Sequence, residues 1–257
     1  MTAARSWPLE RLAELRIAAM TLTRLPVGRV ANPAPGIATA AWAFPLIGLV
    51  IGCFSALAYS LAVSVQLPPA FAALVALAAG ILVTGALHED GLADTADGLG
   101  GGRTRADKLA IMRDSHIGTY GVLALIIALA LRGVCLATLP PAIALNALIA
   151  LAAASRVGMV VALYALPPAR PDGLGNAAAA VAPMPCLAAI AIGLTALVIL
   201  TSAWPAIAVA MLAAGALLAW LAWRALGGQT GDILGALQQV TEIAGWTALV
   251  LWTAQTL

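Results

Sequence analysis

Charge is what this 257-residue chain has least of: 9% of it is Asp, Glu, Lys or Arg, against about 25% in soluble domains. With 63% apolar residues, that shortage excludes a water-soluble globular protein and indicates an integral membrane protein. A basic stripe with interleaved aromatics is also lacking, so nucleic acid is not an expected partner. Cysteine is scarce. Cys53, Cys135 and Cys186 stand far apart in apolar sequence with no CxxC pair, which removes the usual ligands for zinc or dithiol redox chemistry. They read as small buried residues. A secretory signal is not expected, because the first long apolar run starts near Ile37, after charged sequence. No internal repeat is visible.

The little charge there is gathers in one stretch. Residues 88–119 hold both histidines, His88 and His116, and six of the eleven acids: Glu89, Asp90, Asp94, Asp97, Asp107 and Asp114. Arg103, Arg105, Lys108 and Arg113 lie there too. Long apolar runs flank this segment, so the rest of the chain reads as a frame that holds it.

Those runs predict an all-α, polytopic membrane helix bundle of about seven transmembrane helices, near 38–65, 70–87, 120–139, 143–165, 186–201, 206–223 and 243–257. Each approaches the ~20 residues needed to cross a bilayer. Lipid leaves backbone groups no partner outside a helix or a closed barrel, and the alternation of barrel strands is missing. The chain is expected to form a single membrane domain over 1–257. Residues 1–36 would be an interfacial arm, with Arg5, Arg11, Arg16, Arg24 and Arg29 around an apolar helical face. With seven spans, every charged loop falls on one side, which the positive-inside rule makes cytoplasmic. The N-terminus would then lie inside, the C-terminus outside, and 88–119 would be a cytoplasmic catalytic segment.

Asp90, Asp94 and Asp97 stand at i, i+4 and i+7, so a second span continuing as a helix to Leu99 would project all three from one face. Clustered carboxylates repel one another unless a cation sits among them. Oxygen ligands suit magnesium, manganese or calcium, and magnesium suits a phosphate-bearing substrate. These three are the expected metal ligands. Gly100, Gly101 and Gly102 end the helix, and the basic residues after them are of the type that holds phosphate oxygens. Thr104 and Asp107 have the spacing of a capping box for a short helix near 105–114. Arg156 lies deep in the fourth span, where an Arg is a site candidate by default. Arg132, nearer the end of the third, reads as a snorkelling residue. Gln229 and Asp232 sit where the sixth span ends.

The run HEDGLADTADGLGGGRTRADKLAIMRDSHIGTYGVLAL, with TRLPV at 23–27, SR at 155–156, GLG at 173–175 and GGQTGDILGA at 227–236, resembles the cobalamin synthase family, adenosylcobinamide-GDP ribazoletransferases. Two residues depart from the family pattern: His116 replaces a basic residue and Glu89 a usually apolar one. The resemblance implies a magnesium-dependent phosphotransferase of the bacterial inner membrane, its active site facing the cytoplasm. Adenosylcobinamide-GDP and α-ribazole, or its 5′-phosphate, would give adenosylcobalamin, or its 5′-phosphate, and GMP. Asp90, Asp94, Asp97 and Asp114 would be catalytic, and His88, Arg103, Arg113, Arg156, Gln229 and Asp232 would bind substrate. The lipid bilayer is the other partner, and assembly with further copies of the chain stays open. The rival class is a transporter. Against it, the acids cluster at the end of a span and inverted repeats are missing.

Overall fold

The structure is a computed structural model and describes residues 7–256. Arg5 of the expected arm and the final residue of the chain lie outside that range. A first helix, α1 (Trp7–Leu22), leads through a proline-rich link to α2 (Ile37–Ala40), one 3-10 turn, and the long α3 (Phe44–Ser64). Then come α4 (Pro69–Thr84), α5 (Leu87–Gly101), the short α6 (Arg105–Ile111), α7 (Thr119–Thr138) and α8 (Pro141–Ala165). The chain closes with α9 (Gly173–Ala177), α10 (Pro183–Leu200), α11 (Trp204–Leu226) and α12 (Gly231–Thr256). Beyond one isolated bridge between Pro168 and Gln229, no strand pairing occurs among the described residues.

The molecule is a polytopic helical membrane protein. Among the described residues five helical stretches are long and apolar enough to cross: Ile37–Ser64, Thr119–Thr138, Pro141–Ala165, Pro183–Leu200 and Trp204–Leu226. Length and composition alone do not reach the expected count of about seven, for two reasons. First, α4 and α5 pass this test only as a pair, and they meet at 89°. The second span therefore does not run on to Leu99. It stops at Gly85 and Ala86, both left-handed, with φ of +66° and +61°. Glycine takes that conformation freely and alanine does not, so the surrounding packing imposes the corner. Taken alone, α5 is too polar to span. Second, α12 is 26 residues long, enough to cross, but Gln238, Gln239, Thr241 and Glu242 in its middle make it too polar to read as an apolar span. They point inward and are buried.

α8 is the centre of the bundle. It packs against α3, α10 and α12, while α12 packs against α5 and α11. Alanine and glycine permit the close approach that membrane helices need in place of a hydrophobic drive. The α5–α12 crossing shows how close: a Cβ added at Gly91 would stand 2.8 Å from the Asp232 carbonyl oxygen, and one at Gly235 would stand 3.2 Å from the Gly91 Cα. Two glycines set the distance between the acidic helix and the last helix.

Candidate active site

Because α5 is continuous from Leu87 to Gly101, its 3.6-residue period places Asp90, Asp94 and Asp97 on one face. They sink progressively into the packing: Asp90 is exposed, Asp94 half-buried and Asp97 buried. The first turn of α12 brings Asp232 opposite. Burial, and then the charges of Asp90, Asp232 and Asp97, push the Asp94 carboxyl up to about 7, with Arg170 opposing them. Asp232 is raised as well, first by burial, while Arg170 and Thr230 pull it back. An Arg170 Nη2 donor reaches Asp232 Oδ2 at 3.2 Å, and the Thr230 hydroxyl donates to the same oxygen at 3.1 Å.

Asp97 shares that face but has hydrogen-bond partners of its own. Gly118 N–H donates to its Oδ2 at 2.7 Å and Gly121 N–H to its Oδ1 at 2.9 Å. Both oxygens thus satisfy amides at the start of α7, which would otherwise have no partner. The residue ties two helices together. Among the described residues no three Asp, Glu, His or Cys side chains converge closely enough to hold a metal unaided. Magnesium does not require that: it commonly takes one or two carboxylates and completes its shell with water and substrate phosphate. The donors are hard oxygens, and a partly buried like-charge cluster that raises its own proton affinity is one that a cation relieves. Asp90, Asp94 and Asp232 fit a magnesium ion on those grounds.

Three loops converge beside this face. The capping box is present: the Thr104 hydroxyl accepts from Asp107 N–H at 3.2 Å, and Asp107 accepts from Thr104 N–H at 2.9 Å. From the helix so fixed, Arg105 donates to the Leu226 carbonyl at 2.7 Å and the Ala169 carbonyl at 2.8 Å. It therefore closes the C-terminal end of α11. Lys108 donates to the carbonyls of Leu99 and Gly102 and closes α5 in the same way. These two basic residues are structural, occupied by helix-end carbonyls and, for Arg105, by a loop carbonyl as well. Arg113 holds Asp172 with contacts of 2.5 and 2.6 Å. Arg103 is exposed. Asp114 accepts from the ring and backbone of His116, which hold its carboxyl below the usual range. Asp114, His116 and Tyr120 line a surface groove of about 300 Å3 that runs along the Asp97 end of α5.

The remaining predicted residues lie apart from the acidic face. Gln229 is fully buried and donates to the Gly175 carbonyl at 2.9 Å. The backbone pairing of Gln229 with Pro167 and Ala169 straps the loops at 166–172 and 227–230 together. His88 and Arg156, 1% and 2% exposed, line an internal cavity with Glu89, Arg132 and Glu242. Arg132 does not snorkel: it donates to Glu242 at 2.8 Å and Gln239 at 3.0 Å and pairs with Glu89 at 3.4 Å. The interior thus holds five ionisable side chains, and Glu89 and Glu242 among them correct the expectation that the acids cluster only at the end of a span. Sequence reasoning also missed Arg170, which the structure places against Asp232. Its loop is held by the backbone pairing with Gln229.

A helical bundle with these features, its hard-oxygen cluster held at the convergence of three polar loops, defines an integral membrane enzyme. The family model described as cobalamin-5-phosphate synthase matches residues 14–250. A relative from Bradyrhizobium diazoefficiens named adenosylcobinamide-GDP ribazoletransferase is 52% identical over 238 residues, covering 90% of this chain and 91% of that protein. One of the same name from Mesorhizobium japonicum is 44% identical, covering 92% of each. One from Rhizobium etli is 46% identical, covering 80% of this chain and 84% of the relative. The chain belongs to the cobalamin-5-phosphate synthase family and is a transferase of cobalamin biosynthesis. No solved structure matches it.

Proposed function

We propose that the chain joins adenosylcobinamide-GDP to α-ribazole, or to its 5′-phosphate, at the cytoplasmic face of the inner membrane, with magnesium as cofactor. The carrying observation is that Asp94 lies among Asp90, Asp97 and Asp232 with Arg170 beside them. The names of the relatives supply the substrates.

In the reaction the ribazole 3′-hydroxyl oxygen bonds to the phosphorus attached to cobinamide. The bond from that phosphorus to the bridging oxygen of the diphosphate breaks, GMP leaves with the electron pair, and the hydroxyl proton goes to water. Magnesium, when bound, neutralises charge on the phosphate oxygens and orients them. Asp90, Asp94 and Asp232 would hold the ion. Arg170 keeps Asp232 turned toward the cluster. Arg103 and Arg113 are the basic residues at the rim for the diphosphate, and Arg113 must release Asp172 to reach it. Asp97 fixes α5 against α7, so the face and the groove beside it move as one unit.

The test is turnover of the purified protein in detergent with magnesium. GMP release that needs both substrates supports the reading. Ion flux in vesicles without GMP release overturns it in favour of a transporter.

A further inference from the structure

Six helices line the cavity, α3, α4, α5, α7, α8 and α12, and its charged and amide side chains come from four of them. α5 contributes His88 and Glu89, α7 contributes Arg132, α8 contributes Arg156, and α12 contributes Gln238, Gln239 and Glu242. Gln239 donates to Glu89 Oε1 at 2.9 Å, and Arg132 reaches Glu242 Oε1 at 2.8 Å. Arg156 lies 3.9 Å from Glu242 Oε2, and Gln238 donates to that same oxygen. The two guanidinium groups balance the two carboxylates. Glu89 sits one residue before Asp90, the first carboxylate of the acidic face.

Protein contacts leave four buried atoms of this set without a partner: His88 Nε2, Glu89 Oε2, Arg132 Nε and Arg156 Nε. All four side chains line the cavity, whose volume is about 20 Å3. One water needs at least ~10–15 Å3 and two to four polar partners. The hydrogen-bonding capacities also match. Each guanidinium Nε–H only donates, the carboxylate oxygen only accepts, and His88 Nε2 accepts when the ring proton is on Nδ1. A water accepts two hydrogen bonds and donates two. A metal cation would face two guanidinium groups and an anion would face Glu89, so the charge pattern favours a neutral occupant.

We propose that one ordered water fills this cavity and closes a network across α5, α7, α8 and α12, and that Glu89 thereby acts as a positioning residue for the acidic face beginning at Asp90. The second half rests on the reading of that face as a cation site; the water itself does not.

Two measurements test it. High-resolution cryo-EM of the protein in lipid nanodiscs should show a density peak at hydrogen-bonding distance, about 2.7–3.2 Å, from the four atoms. A dry cavity, or side chains closed directly onto one another, overturns the water site. For positioning, Glu89→Gln keeps the shape and removes the charge, and manganese binding is read by electron paramagnetic resonance with no substrate present. The expected result is affinity weakened by about tenfold or more, the range seen when groups that orient metal ligands are lost, while elution on gel filtration is unchanged. Wild-type affinity in this variant, with only a lower melting temperature, makes Glu89 merely structural and overturns that half. Should Glu89→Gln fail to insert, Glu89→Asp keeps the charge but withdraws it by one methylene. It should show the same weakening, and wild-type affinity there overturns the positioning role. Wild-type protein that binds no manganese removes the cation-site reading and the positioning role together, leaving the water to stand or fall on its density.

Discussion

Gly118 donates its backbone N–H to the Asp97 carboxylate at 2.7 Å, across the gap between α5 and the first turn of α7. With Gly121 on the other oxygen, Asp97 is a cap supplied by one helix to another. The sequence period places it with Asp90 and Asp94, yet its work is distinct from theirs, and substitution should separate them.

Asp97→Asn keeps one acceptor and loses the charge. A side-chain cap contributes about 0.5–2 kcal/mol, and a bond to a charged acceptor toward the upper end of that range. Thermal unfolding in detergent should show the loss, while manganese affinity falls less than in Asp94→Asn. Unchanged stability with abolished metal binding would return Asp97 to the ligand set.

Asp90→Asn and Asp94→Asn should each abolish GMP release while the protein still inserts and elutes as wild type does. Losing a ligand removes charge neutralisation at the phosphate, an effect of about several kcal/mol. Chelation should silence the wild type, and added magnesium should restore it. Near-normal turnover in both variants would remove the proposed site.

Arg156→Gln tests a residue at 2% exposure whose partners are Glu242, Ser155 and the Ala152 carbonyl. Removing one side of a buried pair leaves the other uncompensated, typically at about 3–5 kcal/mol. The expected outcome is a lower melting temperature with similar KM values for both substrates. A rise in KM confined to the GDP-bearing substrate would put Arg156 at the phosphates instead.

Topology is checked by cysteine labelling in intact cells, after Cys53, Cys135 and Cys186 are replaced. A cysteine introduced at Arg103, which is exposed, should react only with reagents that cross the inner membrane. Labelling by an impermeant reagent would put the site on the other side of the bilayer.

What could be read from the chain alone was whatever depends on near neighbours in sequence. The apolar runs gave the membrane helices, because length and hydropathy are local sums. The Thr104–Asp107 box was legible because both of its hydrogen bonds close within three residues. The acidic face was legible because helical period fixes it once α5 forms. The run through residues 88–119 carried the family.

Tertiary structure decided where charges find partners. Arg132 meets Glu242 across 110 residues and Glu89 across 43, distances over which no periodicity informs. Arg105 and Lys108 look like phosphate ligands in sequence, yet the carbonyls that occupy them belong to helix ends and a loop brought together only by packing. The 89° corner between α4 and α5 follows from two left-handed residues, one of them an alanine with no intrinsic preference for that state. A buried charge must be paired wherever the fold brings an opposite one, and only the assembled helices settle which one that is.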